Sequence, residues 1–251
     1  MGLSVAIICR NAERTIGATI DSVAEVADEI VVLDSGSTDS TVEMVRERGV
    51  RAIAHPWLGY VGQKQAALDR CMHRWVLSID ADERLDDRAR TAVREVVTRD
   101  GDGADGFIVN RRVVYAGRAL RHAWQPDRLV RLVRRDAAVW VGGSVHERLE
   151  VTGRVERLPG VLLHDTVDSM RAFLVRQVDY AALGASDGGG RSSALKLVTS
   201  PVGAFLKQMV VKGAWMDGWR GWAAAGCVAN AALVKHLVRL DAARRSAEEE
   251  S

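Results

Sequence analysis

The chain has 251 residues, 47% of them apolar, which allows one large α/β domain or a domain with an extension. Its net charge of +2 excludes bulk nucleic-acid binding through charge alone. Three widely spaced cysteines, Cys9, Cys71 and Cys227, offer neither a disulfide framework nor metal-ligand spacing, and they fit a reducing compartment.

The opening MGLSVAIICRN lacks the basic start of a signal peptide, and Leu3–Cys9 within it suits a buried parallel strand. Ile16, Ile20, Val23 and Ala27 then recur at helical spacing and predict a helix over Ala12–Ala27. Glu29–Leu33 is the second strand. The run Ser37-Thr38-Asp39-Ser40 caps a helix ending near Arg48, Gly49 closes it, and Val50–Ala54 is the third strand. Val61–Cys71 reads as a helix, Arg74–Ile79 as a fourth strand and Asp86–Arg99 as a polar helix. This alternation is the rhythm of an open parallel sheet. Beyond residue 105 the pattern changes to strands with short turns: Gly106–Tyr115, Arg128–Arg134, Ala138–Val141, Val145–Val151 and Gly160–Leu163. A helix over Asp168–Ala185, a flexible SDGGGRSS linker and a helical tail to about Arg245 complete the chain. The predicted fold is α/β, with a parallel half, a mixed half and a helical extension. Its expected divisions are residues 1–186, 187–245 and a frayed 246–251. No apolar run reaches the roughly 18 residues of a membrane span; the nearest, Trp222–Val234, contains Asn230.

Open α/β sheets bind ligands beyond the carboxyl ends of their strands, where Asn11, Asp34, Asp80 and Asp82 fall. No glycine-rich phosphate loop follows the first strand, so a dinucleotide fingerprint or P-loop is not expected. A divalent cation held by carboxylates is the other common way to neutralise a diphosphate. Asp80 and Asp82, at i and i+2 after the fourth strand, are hard oxygen donors suited to Mg²⁺ or Mn²⁺.

The runs LSVAIICRNAERTIGATIDSV, EIVVLDSGSTDST and WLGYVGQKQAALDRCMHRWVLSIDADERL occur in the order and spacing of a known family. Together they resemble the family 2 glycosyltransferases of the GT-A fold. Within that family they are most similar to small bacterial enzymes that add glucose to the lipopolysaccharide inner core. The likeness is strong over about residues 3–165 and looser over PDRLVRLVRR, VGGSVHERLEV and WMDGWRGW. It implies a GT-A-like sheet with a parallel nucleotide-binding half and a mixed acceptor half. It implies that Asp34 contacts uracil or ribose, that Arg10 and Asn11 lie under the nucleotide, and that Lys64 approaches the diphosphate. Asp80 and Asp82 are then the D-x-D motif, with Asp82 the metal ligand and Asp80 the contact to ribose or metal-bound water. Glu147 falls at the acidic catalytic motif as general base, with Asp127 as its rival, and His164 at the late histidine directed at metal or diphosphate. Gly142-Gly143 stands where the family shapes its acceptor side. Ser35 and Gln65 depart from the Asp and Asn of many relatives.

The resemblance implies an inverting, metal-dependent transfer of hexose, glucose from UDP-glucose, onto a lipid-linked saccharide such as the heptose region of the lipopolysaccharide core. No nucleic-acid partner is implied. A haloacid-dehalogenase-like phosphatase would carry D-x-D after its first strand, with Thr or Val where Arg84 stands. A nucleotidyltransferase would show a glycine-rich basic loop after the first strand, but CRNAERT has no glycine before Gly17. A non-catalytic sugar-nucleotide or membrane-binding module would not need Asp80, Asp82, Glu147 and His164.

Residues 191–245 hold nine basic and two acidic residues. Leu195, Val198, Val202, Phe205, Leu206, Met209 and Val210 line one helical face, and Trp215, Trp219 and Trp222 follow at helical spacing. A basic, Trp-bearing amphipathic tail suits an anionic membrane interface, or packing on the catalytic domain. The expected location is the cytoplasm, peripheral on the inner membrane.

Overall fold

A computed structural model describes residues 2–143, 147–167, 169–171, 173–175, 178 and 192–249. The first part alternates as the periodicity requires: β1 (Leu3–Cys9), α1 (Ile16–Val23), β2 (Glu29–Asp34), α2 (Thr41–Glu47), β3 (Ala52–Ala54), α3 (Gly59–Asp69), β4 (Trp75–Asp80), β5 (Glu83–Leu85) and α4 (Asp87–Thr98). Then come β6 (Gly106–Tyr115), β7 (Arg118–Ala119), β8 (Arg128–Arg134), β9 (Ala138–Val141), β10 (Arg148–Val151) and β11 (Val155–His164). Two long helices follow, α5 (Ala194–Leu206) and α6 (Trp219–Glu249).

Among the described residues the main sheet runs β3-β2-β1-β4-β8-β6-β11-β5, with β7 on β6, while β9 and β10 pair separately. β3, β2, β1 and β4 are mutually parallel; β8 joins β4 antiparallel and opens the mixed half. Strand order reverses between β1 and β4, the switch point at which such sheets open a crevice. Register makes that edge level, because Cys9 stands beside Asp34 and Ile8 beside Asp80.

Alternation along β1 feeds two cores. Leu3, Val5 and Ile7 pack with Ile16, Ile20 and Val23 of α1 and Ala89, Val93 and Val97 of α4. Ala6 faces the other way, with Ala67, Leu68, Val133, Trp140 and Leu149. Each fully buried aliphatic side chain contributes about 1.5–3 kcal/mol, so both faces hold the switch point rigid.

Three local differences from the sequence expectation have physical causes. α1 starts at Ile16, not Ala12, because Asn11 lies in the left-handed region (φ 50) and the Ala12 N–H donates to Thr41 Oγ1 at 2.7 Å. The start of α2 is held by Asp39 of the expected capping run and, from outside it, by Glu13: Asp39 accepts the Thr41 N–H at 3.1 Å, and Glu13 the Ser40 N–H at 3.0 Å. The acidic turn after β4 contains β5, which pairs antiparallel with Leu162–His164 of β11. β11 passes close over α4 at Gly160 (φ +92), where a Cβ would lie 2.2 Å from the Ala89 nitrogen. The expected helix over 168–185 and the 186–193 linker lie largely outside the described residues, as do Val145 and His146.

By compactness the chain forms two units, residues 1–111 with 127–165, and 112–126 with 166–251. Within the second, Leu120, Ala123, Met209, Ala214, Ala224 and Ala225 form a small core. Asp217 gathers the loop at 121–123, accepting the N–H groups of Arg121, His122 and Ala123 at 3.0, 2.9 and 2.8 Å. The expected apolar stripe divides: Phe205 and Met209 join this core, whereas Leu195, Val198, Val202, Leu206 and Val210 stay exposed, as do Trp215, Trp219 and Trp222. Two helices, Ala194–Val211 and Trp219–Arg245, are long and apolar enough to cross a membrane by length and composition. This corrects the expectation drawn from uninterrupted apolar runs, because each stretch tolerates isolated charges.

Candidate active site

The crevice is built from strand ends of the first unit. β4 delivers Asp80 and β11 ends at His164, while α3 brings Lys64 across from the opposite face. Lys64 is only 4% exposed, and its ammonium lies 2.8 Å from Asp80 Oδ1 and 3.1 Å from Glu147 Oε1. The same ammonium stands 4.8 Å from the centroid of the Trp140 ring, which walls it from solvent. Gln65, one residue on, accepts the Trp140 backbone N–H at 2.8 Å and fixes β9 against α3.

The other Asp80 oxygen, Oδ2, accepts from Arg131 at 3.0 Å. Arg131 also reaches Glu83 Oε1 at 2.8 Å, and Arg111 reaches that oxygen at 3.0 Å. Arg111 in turn donates to Asp127 at 2.8 Å. Burial alone would raise the Asp80 carboxyl, but Lys64 and Arg131 beside it hold it well below the usual carboxylate range. Burial opposes the charge on Arg131, and Glu83 and Asp80 more than restore it.

Asp82 and His164 meet beside this cluster, with His164 Nε2 3.2 Å from Asp82 Oδ2. Burial disfavours an imidazolium there, yet the Asp82 carboxylate brings the His164 pKa above its ordinary value. Among the described residues, His164 Nδ1 is buried without a hydrogen-bond partner.

The donor chemistry fits a divalent cation. Asp80, Asp82, Glu83, Asp127 and Glu147 outnumber Lys64, Arg111 and Arg131 by two, leaving negative charge of the size such an ion carries. The Asp82–His164 separation is that of a hydrogen-bonded ion pair, and among the described residues no third such side chain completes a ligand set, so an ion would draw further ligands from the diphosphate or water. Asp80 has both oxygens engaged by cationic side chains, so Asp82 and His164 are the better-placed pair.

The nucleotide-side residues form their own turn. Asp34 is buried; it accepts the Gly36 and Ser37 N–H groups at 3.1 and 3.0 Å, and the Ser37 hydroxyl. Burial of the neighbouring Cys9 thiol, and then the Asp34 charge beside it, push that thiol up to about 12. Asn11 closes on the same turn, accepting the Thr38 N–H at 2.8 Å, and Arg10 is exposed next to it. Gln63 ties this turn to α3, donating to Ser35 Oγ at 2.8 Å. Lys64, Asp80, Asp82, Glu147 and His164 are thus gathered in one cluster, Asp34 and Asn11 lie together on the adjoining turn, and Asp127 sits at the far end of the arginine contacts.

Arg111, Arg131 and Trp140 are missing from the residues singled out by sequence, which leaves Glu83 open between support of the motif and plain solvation. A faint signal exists for Glu83 and Arg131. Glu83 alternates with buried Leu85 along β5, and Arg131 alternates with Leu129 and Val133 along β8, so each charge sits on an inward face.

Residues 4–151, more than half of the chain, match the family model described as Glycosyl transferase family 2. The chain belongs to that family. This glycosyltransferase is 35% identical to the lipopolysaccharide core biosynthesis glycosyltransferase LpsC of Rhizobium meliloti, over 88% of this chain and 85% of the relative. It is 28% identical to an uncharacterized glycosyltransferase of Rickettsia prowazekii, over 88% and 80%. Among solved structures, glucosyl-3-phosphoglycerate synthase from Mycobacterium tuberculosis is 18% identical at a TM-score of 0.48, over 76% of this chain and 80% of that one.

Proposed function

We propose that this glycosyltransferase is an inverting, metal-dependent enzyme that moves a hexose onto a lipid-linked bacterial saccharide. The favoured donor is UDP-glucose and the favoured acceptor the heptose region of the lipopolysaccharide inner core. One observation carries the reading: Lys64 joins Asp80 to Glu147 in a crevice that also holds the Asp82–His164 pair. The acceptor class rests on the likeness to the lipopolysaccharide core biosynthesis glycosyltransferase LpsC.

In this reading Asp82 and His164 hold Mg²⁺ or Mn²⁺, and Asp80 meets the ribose or a metal-bound water. Asp34, Arg10 and Asn11 seat the nucleoside. Such an ion, when bound, neutralises the leaving diphosphate. Lys64 adds a fixed positive charge beside it, a point charge suited to phosphate. Glu147 takes the proton of the acceptor hydroxyl as that oxygen bonds to the anomeric carbon and the bond to the diphosphate breaks. Attack from the face opposite the leaving group inverts the centre, so no enzyme nucleophile is required.

A thermal-shift panel of UDP-, ADP-, GDP- and CDP-sugars with Mn²⁺ tests the donor assignment. Ligand at a hundred times its Kd stabilises the folded state by about 2.7 kcal/mol, a readily measured shift. UDP-glucose is expected to give the largest rise; a larger rise with another nucleotide replaces it, and no rise with any of them removes the reading.

The helical tail serves the same acceptor as a peripheral membrane anchor on the cytoplasmic face of the inner membrane. Exposed Trp215, Trp219 and Trp222, with Lys207, Lys212 and Arg220 near them in sequence, suit the headgroup layer. A spanning arrangement would place Lys196, Lys235 and Arg239 in hydrocarbon, which is costly. Sedimentation with vesicles is expected to show binding to phosphatidylglycerol-containing but not to neutral membranes, weakening as salt rises. Equal binding to neutral vesicles, or none to either, would count against it.

A further inference from the structure

The contacts around Asp80 form one unbroken alternation of charge: Asp127, Arg111, Glu83, Arg131, Asp80, Lys64 and Glu147, with every link between 2.8 and 3.1 Å. Its centre is dry. Glu83 is 0% exposed and Arg131 is 4% exposed, whereas both ends reach solvent. Glu83 also holds backbone, because its second oxygen, Oε2, accepts the Asp80 N–H at 3.0 Å. A carboxylate buried at this depth is expensive unless every lone pair has a task. Here one oxygen fixes the peptide that begins the D-x-D turn, and the other takes two guanidinium groups.

We propose that Glu83 and Arg131 are positioning residues that set the orientation of the Asp80 carboxylate. Arg131 ties down Oδ2 and leaves Oδ1 directed at Lys64, while Glu83 aims Arg131 and fixes the Asp80 backbone. β5 links this to the second carboxylate of the motif. Glu83 pairs with His164 across β5 and β11, so the residue that anchors Asp80 also sets His164 beside Asp82. Neither residue touches substrate in this arrangement; both act through Asp80. The inference rests on the reading of Asp80 and Asp82 as donor-side ligands.

The test uses the full chain and the sugar nucleotide giving the largest thermal shift, with kcat and KM followed by nucleotide release. Mn²⁺ binding is read separately by electron paramagnetic resonance, and Tm is recorded for every variant. Arg131→Lys keeps the charge but not the reach of the guanidinium. It is expected to raise donor KM about tenfold, the scale of a small misplacement of a binding group, and to weaken Mn²⁺ binding, with kcat changed far less. Glu83→Gln should move KM in the same direction. If the excess of buried positive charge prevents it from folding, the charge-balanced Glu83→Gln/Arg111→Gln double variant replaces it. A merely structural role lowers Tm and leaves KM and Mn²⁺ affinity of the folded protein unchanged, which would overturn the proposal. Asp80→Ala and Asp82→Ala separate the two failures. If both release nucleotide like the parent, the site reading is wrong; if both are impaired while Arg131→Lys matches the parent, only the positioning role falls.

Discussion

Asp82→Ala is expected to reduce sugar transfer about a hundredfold or more, and EDTA should reduce the parent enzyme to a similar level. A bound ion and its charge stabilisation are worth several kcal/mol at a departing diphosphate, and each 1.4 kcal/mol is about tenfold in rate. The side chain is one-third exposed and, among the described residues, pairs with His164, so its loss should leave the fold intact. Added Mn²⁺ should rescue the EDTA-treated parent but not the variant. Full transfer in EDTA, with Tm unchanged, would remove metal dependence from the proposed mechanism and return Asp82 and His164 to a plain ion pair.

Glu147→Gln should lower transfer by about 10²–10⁴-fold while nucleotide binding persists, the range associated with loss of a general base. Glutamine keeps an oxygen for the Lys64 ammonium, which now lies 3.1 Å from the carboxylate, so the change removes basicity more than it removes structure. Asp127→Asn is the discriminating companion. Asp127 is paired with Arg111 at the far end of the charge alternation, and its change should act weakly through Glu83. Unchanged turnover in Glu147→Gln together with a collapse in Asp127→Asn would transfer the base assignment to Asp127.

Much of the fold was legible because the decisive forces were local. β1, β2 and β4 are apolar runs ended by polar turns, and their limits came within a residue of expectation. β5 was not legible, since Glu83–Leu85 becomes a strand only through pairing with residues some eighty positions later. The start of α1 was missed for a similar reason: Asn11 takes a left-handed backbone (φ 50) while its side chain accepts the Thr38 N–H from a distant turn.

The same division runs through the candidate site. Asp80 and Asp82 stood out by spacing, and Lys64, Glu147 and His164 by family resemblance; the fold brings all five together. Glu83 read as one more charge in an acidic turn, and Arg131 as one of many arginines in RLVRLVRR. Nothing local distinguishes a solvated arginine from one that threads between two buried carboxylates. That distinction belongs to tertiary packing.

The alternation of charge also constrains how this sequence can diverge. Loss of Glu83 or Arg131, the dry centre, takes a partner from buried neighbours and costs on the order of 3–5 kcal/mol, a large share of the usual margin of stability. Change is favoured in opposite-sign couples, and the buried positions should drift as linked pairs rather than independently. A relative with an apolar residue in place of Arg131 should therefore lack a carboxylate at the position of Glu83 as well. The covariation to look for is between an arginine on a central strand and a glutamate that looks, in sequence, like part of an ordinary turn.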